Sequence, residues 1–339
     1  MGSMTASMID PEIAAAFEGR TALVTGGTGL IGREVVRRLC DFGAQVRSVS
    51  LDELPTDSRA EQVNGDLRSF EFCQQVCRDQ EFVFHVAGIK GSVDVTKGQP
   101  ASMFVPLILM NTSILEAARL NGARKVVYTS TIGAYGPADE FKEENDDLLT
   151  PPMDIYPGWA KRMAEMQIAA YREQYGDENF AIVRPCNVYG PGDNFDPATA
   201  MVIPSLMARV AGGESPLKVW GDGSAIRDFA FSTDVAEGII LALHHGTRGS
   251  FVNLGGGGSR SIADLVETLA GIVDAEYVFD TSKPAGYPVR IMDISRARDW
   301  LGYAPQFDLA AGLRQTWDWY RSHLDAHLAR KDFFAEPPS

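Results

Sequence analysis

The feature that most limits the fold of this chain is a strand, a glycine-rich turn, a helix and a second strand within about thirty residues. The β-rich run Thr21–Thr25 leads into Gly26, an amphipathic stretch covers 30–42, and a second β-rich run follows at Gln45–Ser50. Such a βαβ unit favours a parallel sheet, because parallel strands need a long crossover connection. The alternation continues, with strands predicted at 81–86, 125–130 and 180–184 and helices at 69–79, 103–121 and 159–175. The predicted fold class is α/β, a Rossmann-type doubly wound parallel sheet.

Composition and charge exclude several classes of protein. The chain has 339 residues, of which 45% are hydrophobic and 22% charged, as is typical of globular proteins. A formal net charge of −14 without a cluster of Lys or Arg argues against a nucleic-acid partner. The four cysteines show no disulfide framework and no metal-ligand spacing, so no metal site is predicted. We found no apolar run of about 18 residues, which predicts no membrane span and favours a cytoplasmic protein.

The glycine-rich turn is the first candidate binding site. Gly26, Gly29 and Gly32 stand between a strand and a helix, where missing side chains let the backbone approach a pyrophosphate at the helix N-terminus. In this βαβ context the pattern predicts a dinucleotide cofactor. Ser50 ends the second strand, where an acidic residue would bind the ribose of NAD, so the sequence favours NADP(H) and leaves NAD(H) possible. The full set of predicted cofactor-binding residues is Gly26, Gly29, Leu30, Ile31, Gly32, Ser50, Asp66, Leu67, Ala87, Gly88, Lys161 and Pro185.

The local composition of the sequence changes after Pro185, where glycine and proline cluster at 190–197 and 212–223. We predict an NAD(P)-binding Rossmann domain at 20–185, joined by parts of 229–255. A smaller, interleaved C-terminal substrate-binding domain is predicted at 186–330. Residues 1–19 are predicted to be a leader and N-terminal extension, since the opening MGSMTASM lacks an apolar signal core.

Several motifs in fixed order carry a resemblance to a known family. They are TGGTGLIG, NGDLRS, HVAG, VVYTSTIGAYG, GWAKRMAE, RPCNVYGPGDNF and GDGSAIRDF. The chain resembles the extended short-chain dehydrogenase/reductases of the NAD-dependent epimerase/dehydratase family, which act on nucleotide sugars, over about residues 20–325. Within that family it looks most like GDP-L-fucose synthase and related 4-ketoreductases and epimerases. The resemblance implies a nucleotide-sugar substrate, with a GDP-sugar favoured, and a homodimer formed by helices 103–121 and 159–175.

The resemblance also implies three catalytic residues, Thr131, Tyr156 and Lys161. A tyrosine serves as acid/base near neutral pH only if its pKa falls, which a lysine ammonium nearby favours, while a hydroxyl holds the reacting oxygen. The family pattern Tyr-x-x-x-Lys would place the tyrosine at Pro157, and here Tyr156 stands one residue earlier. Because proline is tolerated in a first helical turn, we expect the helix to begin at Pro157, with Tyr156 in the preceding irregular segment.

A second departure concerns the type of reaction. GDP-L-fucose synthase resemblance would place a cysteine and a histidine for 3,5-epimerisation at positions 133 and 192, and both are glycine here. The sequence therefore favours hydride transfer at sugar C4 alone, as a 4-keto-6-deoxy sugar nucleotide reductase. One alternative is an NDP-sugar 4-epimerase with tightly bound NAD. Another is a non-catalytic cofactor-binding regulatory protein, for which the shifted Tyr156 is the supporting feature.

Most of the predicted substrate-binding residues follow Pro185. A guanidinium fork matches two phosphate oxygens, so Arg227 suits a diphosphate. Asn187 lies at the predicted domain junction, and Val202 is placed near the base. The predicted substrate-binding set is Thr131, Asn187, Val202, Lys218 and Arg227.

Overall fold

The computed structural model describes residues 7–89, 91, 93–196, 199–283 and 285–324. Its strands, in chain order, are β1 Thr21–Thr25, β2 Gln45–Ser50, β3 Glu61–Asn64, β4 Phe82–His85, β5 Lys125–Thr129, β6 Glu140–Phe141, β7 Phe180–Pro185, β8 Asn187–Tyr189, β9 Leu217–Trp220, β10 Ile226–Phe231, β11 Val252–Leu254, β12 Ser259–Ser261, β13 Tyr277–Asp280 and β14 Val289–Met292. Its α-helices are α1 Pro11–Ala15, α2 Gly32–Asp41, α3 Phe70–Cys77, α4 Val93–Gly98, α5 Pro100–Leu120, α6 Ile155–Tyr175, α7 Val202–Ala211, α8 Ser232–His245, α9 Ile262–Val273, α10 Ser295–Leu301 and α11 Leu309–Ser322.

The main sheet confirms the predicted fold class. In the described part of the chain it has seven parallel strands in the order β11-β7-β5-β4-β1-β2-β3. Its central strands are apolar on both faces, as β1 and β4 show, because helices cover both sides. Helices α2 and α8 pack on one face, and α3, α5 and α6 on the other. The Rossmann-type doubly wound fold follows from this arrangement.

A second, smaller sheet is assembled from distant parts of the chain. Its described strands run in the order β12-β10-β14-β6, and β8 also pairs with β10. Strands β9 and β13 form a separate parallel pair. Ser261 is the N-cap residue of α9, and its hydroxyl and the Asp264 carboxylate form a capping box. Of the described strands that follow residue 185, only β11 joins the main sheet, whereas β8, β10, β12 and β14 belong to the second sheet.

The start of the described chain is packed onto the main domain. Residues 1–6 of the predicted leader lie outside the described residues, but Ser7 Oγ and Met8 N donate hydrogen bonds to the buried carboxylate of Glu237 at 3.0 and 2.8 Å. The Glu237 carboxylate also pairs with Arg38 of α2. Phe17 is buried in the cluster beside α2 and α8. The described residues from Ser7 to Phe17 therefore contact the main domain, and the predicted extent of the leader stays a prediction.

Helix α5 corrects one expectation about apolar stretches. It spans 21 residues with a mean hydropathy of 1.4 in its best window, and among the described helices it is the one long and apolar enough to cross a membrane. Half of that window is buried inside the protein, and the helix packs against α3 and α6. Its apolar residues Leu107, Ile114 and Leu115 belong to the core on that face of the sheet. In this structure the helix packs within the fold.

Candidate active site

The glycine-rich turn is built so that two stretches of backbone touch. Gly26 has φ +72°, which a residue with a side chain rarely adopts, and a Cβ there would lie 2.8 Å from Ala87 Cα. A Cβ on Gly32 would overlap the carbonyl oxygen of Gly26. The turn therefore opens directly onto the N-terminus of α2, whose free N–H groups suit a pyrophosphate. This cradle fits a dinucleotide.

The carboxyl ends of the parallel strands bring most of the predicted cofactor residues to one edge of the main sheet. Gly26 follows β1, Ala87 and Gly88 lie just after β4, Thr131 follows β5, and Pro185 ends β7. Leu30 and Ile31 lie in the turn into α2. Two other predicted residues have local roles: the Asp66 carboxylate accepts hydrogen bonds from Arg68, and the Leu67 side chain is buried in the core.

The predicted cofactor residue Ser50 contacts the glycine-rich turn. Its hydroxyl is buried and accepts a hydrogen bond from the backbone N–H of Thr28 at 3.1 Å, so it supports the glycine-rich turn from below. The acidic group beside the turn is Asp52, whose Oδ2 lies 3.4 Å from the Thr28 hydroxyl. A carboxylate and a small hydroxyl therefore both lie next to this turn.

Lys161 lies beside the end of β5. Its Nζ donates a hydrogen bond to Thr129 O at 2.7 Å and would lie 3.5 Å from a Cβ on Gly88. Burial lowers the pKa of Lys161 to about 8, and the charge of Glu165 opposes that shift. The Thr131 hydroxyl accepts from Gly133 N at 3.2 Å, and the buried hydroxyl of Ser130 has no hydrogen-bond partner. Lysine, threonine and the glycine-rich turn thus share the edge of the sheet, as the sequence predicts for a cofactor and a reacting group.

A buried chain of hydrogen bonds connects this edge to the backbone of Lys161. Ala87 N donates to the Thr25 hydroxyl, which pairs with His85 Nδ1 at 2.8 Å, and His85 Nε2 lies 2.9 Å from Asn111 Oδ1. The amide nitrogen of Asn111 then donates to the Tyr128 hydroxyl, which donates to Lys161 O. Burial, together with the Lys161 charge, lowers the pKa of His85 to about 3, against the effect of the Asn111 hydrogen bond. The imidazole is therefore neutral and links the strands.

The structure corrects the expected start of the helix that carries Lys161. Helix α6 begins at Ile155, not at Pro157, which occupies the third helical position where no intrahelical N–H bond is required. Tyr156 therefore lies inside the first helical turn. Its side chain is 47% exposed, and its ring contacts Phe104 of α5 with 6.3 Å between centroids. Tyr156 and Lys161 are five positions apart in sequence, so the two side chains leave a regular helix on different faces.

Two arginines lie side by side on the second sheet. Arg227 of β10 pairs in register with Arg290 of β14, and sequence reasoning found only the first of them. Burial, and then the charge of Arg290, lower the pKa of Arg227. The buried Nε of Arg290 has no hydrogen-bond partner, and its Nη2 lies 3.9 Å from Asp154 Oδ1. Adjacent cations repel each other, so the pair is suited to binding an anion such as a diphosphate.

The other predicted substrate residues are placed differently. Asn187 of β8 donates from its side-chain amide to Asp228 O at 2.9 Å, which fixes the strand that carries Arg227. Val202 begins α7 and is exposed. Lys218 lies on the separate β9–β13 pair and is exposed.

Comparison with known proteins shows the family. Residues 22–255 match the model of the NAD dependent epimerase/dehydratase family. The chain belongs to this family. It is 31% identical over 326 residues to a dTDP-4-dehydro-6-deoxy-D-allose reductase from Streptomyces sp, covering 91% of this chain and 98% of that one. It is 28% identical over 315 residues to GDP-L-fucose synthase from Azorhizobium caulinodans, covering 89% and 97%.

A solved structure gives the same result. UDP-glucuronic acid 4-epimerase from Bacillus cereus, in complex with UDP-glucuronic acid and NAD, aligns with a TM-score of 0.76 at 25% identity and covers 89% of this chain and 99% of that one. Like these relatives, this member of the epimerase/dehydratase family is an enzyme.

Behind the site, this family member has a buried network of charges that the sequence did not reveal. Arg184 of β7 donates to both carboxylate oxygens of Glu165 on α6, at 2.9 and 2.6 Å, and pairs with Asp146 at 3.0 Å. Arg162, next to Lys161, also pairs with Asp146 and donates to Thr150 O. The network holds the segment before α6 against the helix, and so fixes where the Lys161 helix starts.

Proposed function

We propose that this enzyme transfers hydride at C4 of a nucleotide sugar, reducing a 4-keto-6-deoxy sugar nucleotide. The observation that carries the proposal is that Lys161 and Thr131 lie at the same sheet edge as the glycine-rich turn, while a pair of arginines stands on the second sheet. The bound nicotinamide cofactor would supply the hydride. The relatives named above act on dTDP- and GDP-linked sugars, which is consistent with this class of substrate.

The roles proposed for the side chains near the reacting sugar carbon follow from their contacts and exposure. The Thr131 hydroxyl holds the reacting oxygen, and the Lys161 ammonium stabilises a nearby phenolate. Tyr128 is buried and donates to Lys161 O, and the Tyr135 hydroxyl is buried and donates to Asn253. Tyr156 shares α6 with Lys161 and is 47% exposed, so we assign it as the acid/base. To act, its side chain has to rotate from Phe104 toward Lys161 when substrate binds.

The diphosphate of the substrate is assigned to Arg227 and Arg290, whose adjacent charges favour an anion. Asn187 acts indirectly by fixing β10, and Val202 is assigned to the edge of the base site. Lys218 is assigned no role because its strand belongs to the β9–β13 pair. The resemblance in the motifs makes GDP the first base to test.

The proposed cofactor preference rests on the contacts of Ser50 and Asp52. The sequence favours NADP(H) because it places the small Ser50 hydroxyl at the ribose, and in the structure this hydroxyl accepts from Thr28 N. Asp52 brings a carboxylate to the same turn, and a carboxylate favours a ribose 2′-OH and repels a 2′-phosphate. We therefore propose that NAD(H) binds more tightly than NADP(H).

The same observation favours a second candidate function, an NDP-sugar 4-epimerase that keeps its NAD bound. The B. cereus epimerase aligned above has NAD bound in its structure. A reductase consumes reduced cofactor in proportion to product, whereas such an epimerase turns over without net consumption. Measuring cofactor oxidation together with product therefore separates the two functions.

Replacing Tyr156 by phenylalanine tests the proposal. Purified protein is titrated with NADH, NADPH, GDP, dTDP and UDP, then assayed with GDP-4-keto-6-deoxymannose for reduction and UDP-glucose for epimerisation. We expect Tyr156→Phe to lower kcat by about 100-fold, because general acid/base groups contribute that much or more. Tyr175→Phe, at the exposed far end of the same helix, should keep wild-type kcat. An active Tyr156→Phe protein would refute the tyrosine's role, and failure to bind any of the three nucleotides would refute the function.

We also propose that the enzyme is a homodimer. Val105 and Leu109 of α5 and Met163 and Met166 of α6 are exposed, although the two helices pack against each other. A surface cavity lined by Thr112, Met163 and Met166 joins the two helices. An apolar face of this kind, shared by two long helices, suits a second copy of itself.

Light scattering tests the dimer. Wild-type protein should have about twice the chain mass of 36.9 kDa. Met166→Glu should shift the mass to one chain by placing a charge in the apolar interface. Leu149→Glu, at a leucine that is 90% exposed and lies outside these helices, should leave the dimer intact. A wild-type monomer would refute the proposal.

We propose a cytoplasmic location, which the cysteines support. Cys40, Cys73, Cys77 and Cys186 are all buried free thiols. Unpaired thiols are typical of proteins from a reducing compartment.

A further inference from the structure

Asp154 is an N-cap residue that does not cap its helix. It precedes the first residue of α6, yet its carboxylate accepts no hydrogen bond from the backbone N–H groups of that helix. Aspartate at this position usually caps, as Asp308 does at the start of α11 by accepting from Ala311 N at 2.7 Å. The Asp154 side chain is instead 43% exposed.

The carboxylate occupies the space left by a missing side chain at position 133. A Cβ on Gly133 would lie 3.0 Å from both Cβ and Cγ of Asp154, and closer still to Oδ2. The backbone fixes this contact, because Asp154 N donates to Gly133 O at 3.3 Å. Gly133 in turn donates to the Thr131 hydroxyl. The Asp154 carboxylate therefore lies at the turn that carries the hydroxyl of the reacting end.

The other oxygen of Asp154 faces the opposite end of the proposed substrate. Oδ1 lies 3.9 Å from Nη2 of Arg290, beside Arg227. In a nucleotide sugar, the hexose ring separates the reacting carbon from the diphosphate. A side chain that borders both the Thr131 turn and the arginine pair is placed along that ring.

We propose that Asp154 determines sugar specificity by accepting hydrogen bonds from hydroxyls of the hexose, and that Gly133 is required to leave room for it. The inference rests on the proposed function. A carboxylate is acceptor-only when ionised, and its charge-assisted bonds to hydroxyls are stronger than neutral ones. Asp154 thus favours sugars that keep a hydroxyl on the face toward α6 over sugars that are deoxygenated there.

The test separates binding of the sugar from binding of the diphosphate. Calorimetry in the presence of NADH measures Kd for GDP, dTDP and UDP and for GDP-mannose, dTDP-glucose and UDP-glucose. The ratio of nucleotide Kd to nucleotide-sugar Kd gives the contribution of the sugar for each pair. For the best-bound pair, Asp154→Ala should lower this ratio by about tenfold or more, the effect of losing a hydrogen bond to a charged group. Gly133→Ala should do the same by displacing the carboxylate, while Kd for the free nucleotide and NADH stays within about twofold.

A matched variant excludes a merely structural role. Asp308→Ala removes a true cap and should lower the melting temperature, whereas Asp154→Ala should not. An unchanged ratio in Asp154→Ala would overturn the proposal, as would equal weakening of the free nucleotide and the nucleotide sugar, which would mean that Asp154 acts through Arg290. Wild-type protein that binds none of the three nucleotides would refute the proposed function itself, a result distinct from either of these.

Discussion

Replacing Arg184 by alanine is expected to lower the free energy of unfolding by about 3–5 kcal/mol, because it leaves the buried Glu165 carboxylate without its cation and leaves Asp146 with Arg162 alone. The Arg184 side chain is 0% exposed and binds Glu165 and Asp146. Its guanidinium also lies 3.8 Å from the ring centroid of Phe251. Urea unfolding at pH 7, monitored by fluorescence and circular dichroism, measures the change.

The matched control for Arg184 is an arginine in an exposed pair. Arg59 binds Asp57 and Asp41 at the surface, so Arg59→Ala should unfold within error of wild type. Loss of the buried network should also lower activity, since it fixes the start of the helix that carries Lys161. An Arg184→Ala protein as stable as the Arg59→Ala protein would show that the network contributes little to the folded state.

Replacing Lys161 by methionine is expected to lower kcat by about 10²- to 10⁴-fold without lowering stability at pH 7. The loss of activity follows from removing the ammonium that supports acid/base chemistry. Stability is preserved because burial of the charged ammonium is unfavourable in the folded state. Burial accordingly lowers the pKa of Lys161 from 10.5 to about 8. Methionine of similar length keeps the apolar stem without a buried charge. Measuring kcat and urea unfolding on the same protein checks the expected loss of activity and the expected retention of stability.

The stability of wild type relative to Lys161→Met should depend on pH in a defined direction. Below pH 8 both folded and unfolded wild type bind the Lys161 proton, so burial of the charged form destabilises the folded state. Between about pH 8 and 10.5 the unfolded state binds more protons than the folded state, so wild-type stability rises relative to Lys161→Met. Urea unfolding at pH 7 and pH 9.5 measures the difference in the free energy of unfolding between wild type and Lys161→Met. This difference should shift in favour of wild type at pH 9.5. A difference that is independent of pH would contradict the lowered pKa.

The main sheet was predictable because its strands are read from local patterns. β1 and β2 occupy the predicted runs, since apolar residues on both faces and glycine in the connecting turn leave few alternatives. β3, with mostly exposed residues, gave no such signal. The second sheet was missed because its strands are short and pair across long separations, such as β6 with β14. The predicted division into domains at residue 185 stays a prediction.

The site residues that stand in a sequence motif could be predicted. Those that are brought to the site only by the folded structure could not. Gly26, Gly32 and Lys161 stand in motifs that place them at the sheet edge. The start of α6 was misplaced because Pro157 was taken as the first helical residue, whereas three residues precede the first N–H that an α-helix requires. Arg290 and Asp154 carry no motif, and only the strand register and the empty space at Gly133 identify them.

The long-range pairing of β6 sets a rule for recombining this enzyme with its relatives. Residues Glu140 and Phe141 pair with Ile291 and Met292, so a segment from the first half of the chain completes the sheet that carries both arginines. A crossover at residue 185 would join a β6 from one parent to a β14 from the other. Chimeras that exchange substrate preference therefore need to inherit 140–141 and 187–292 from the same parent, and the unit of exchange is discontinuous in the gene.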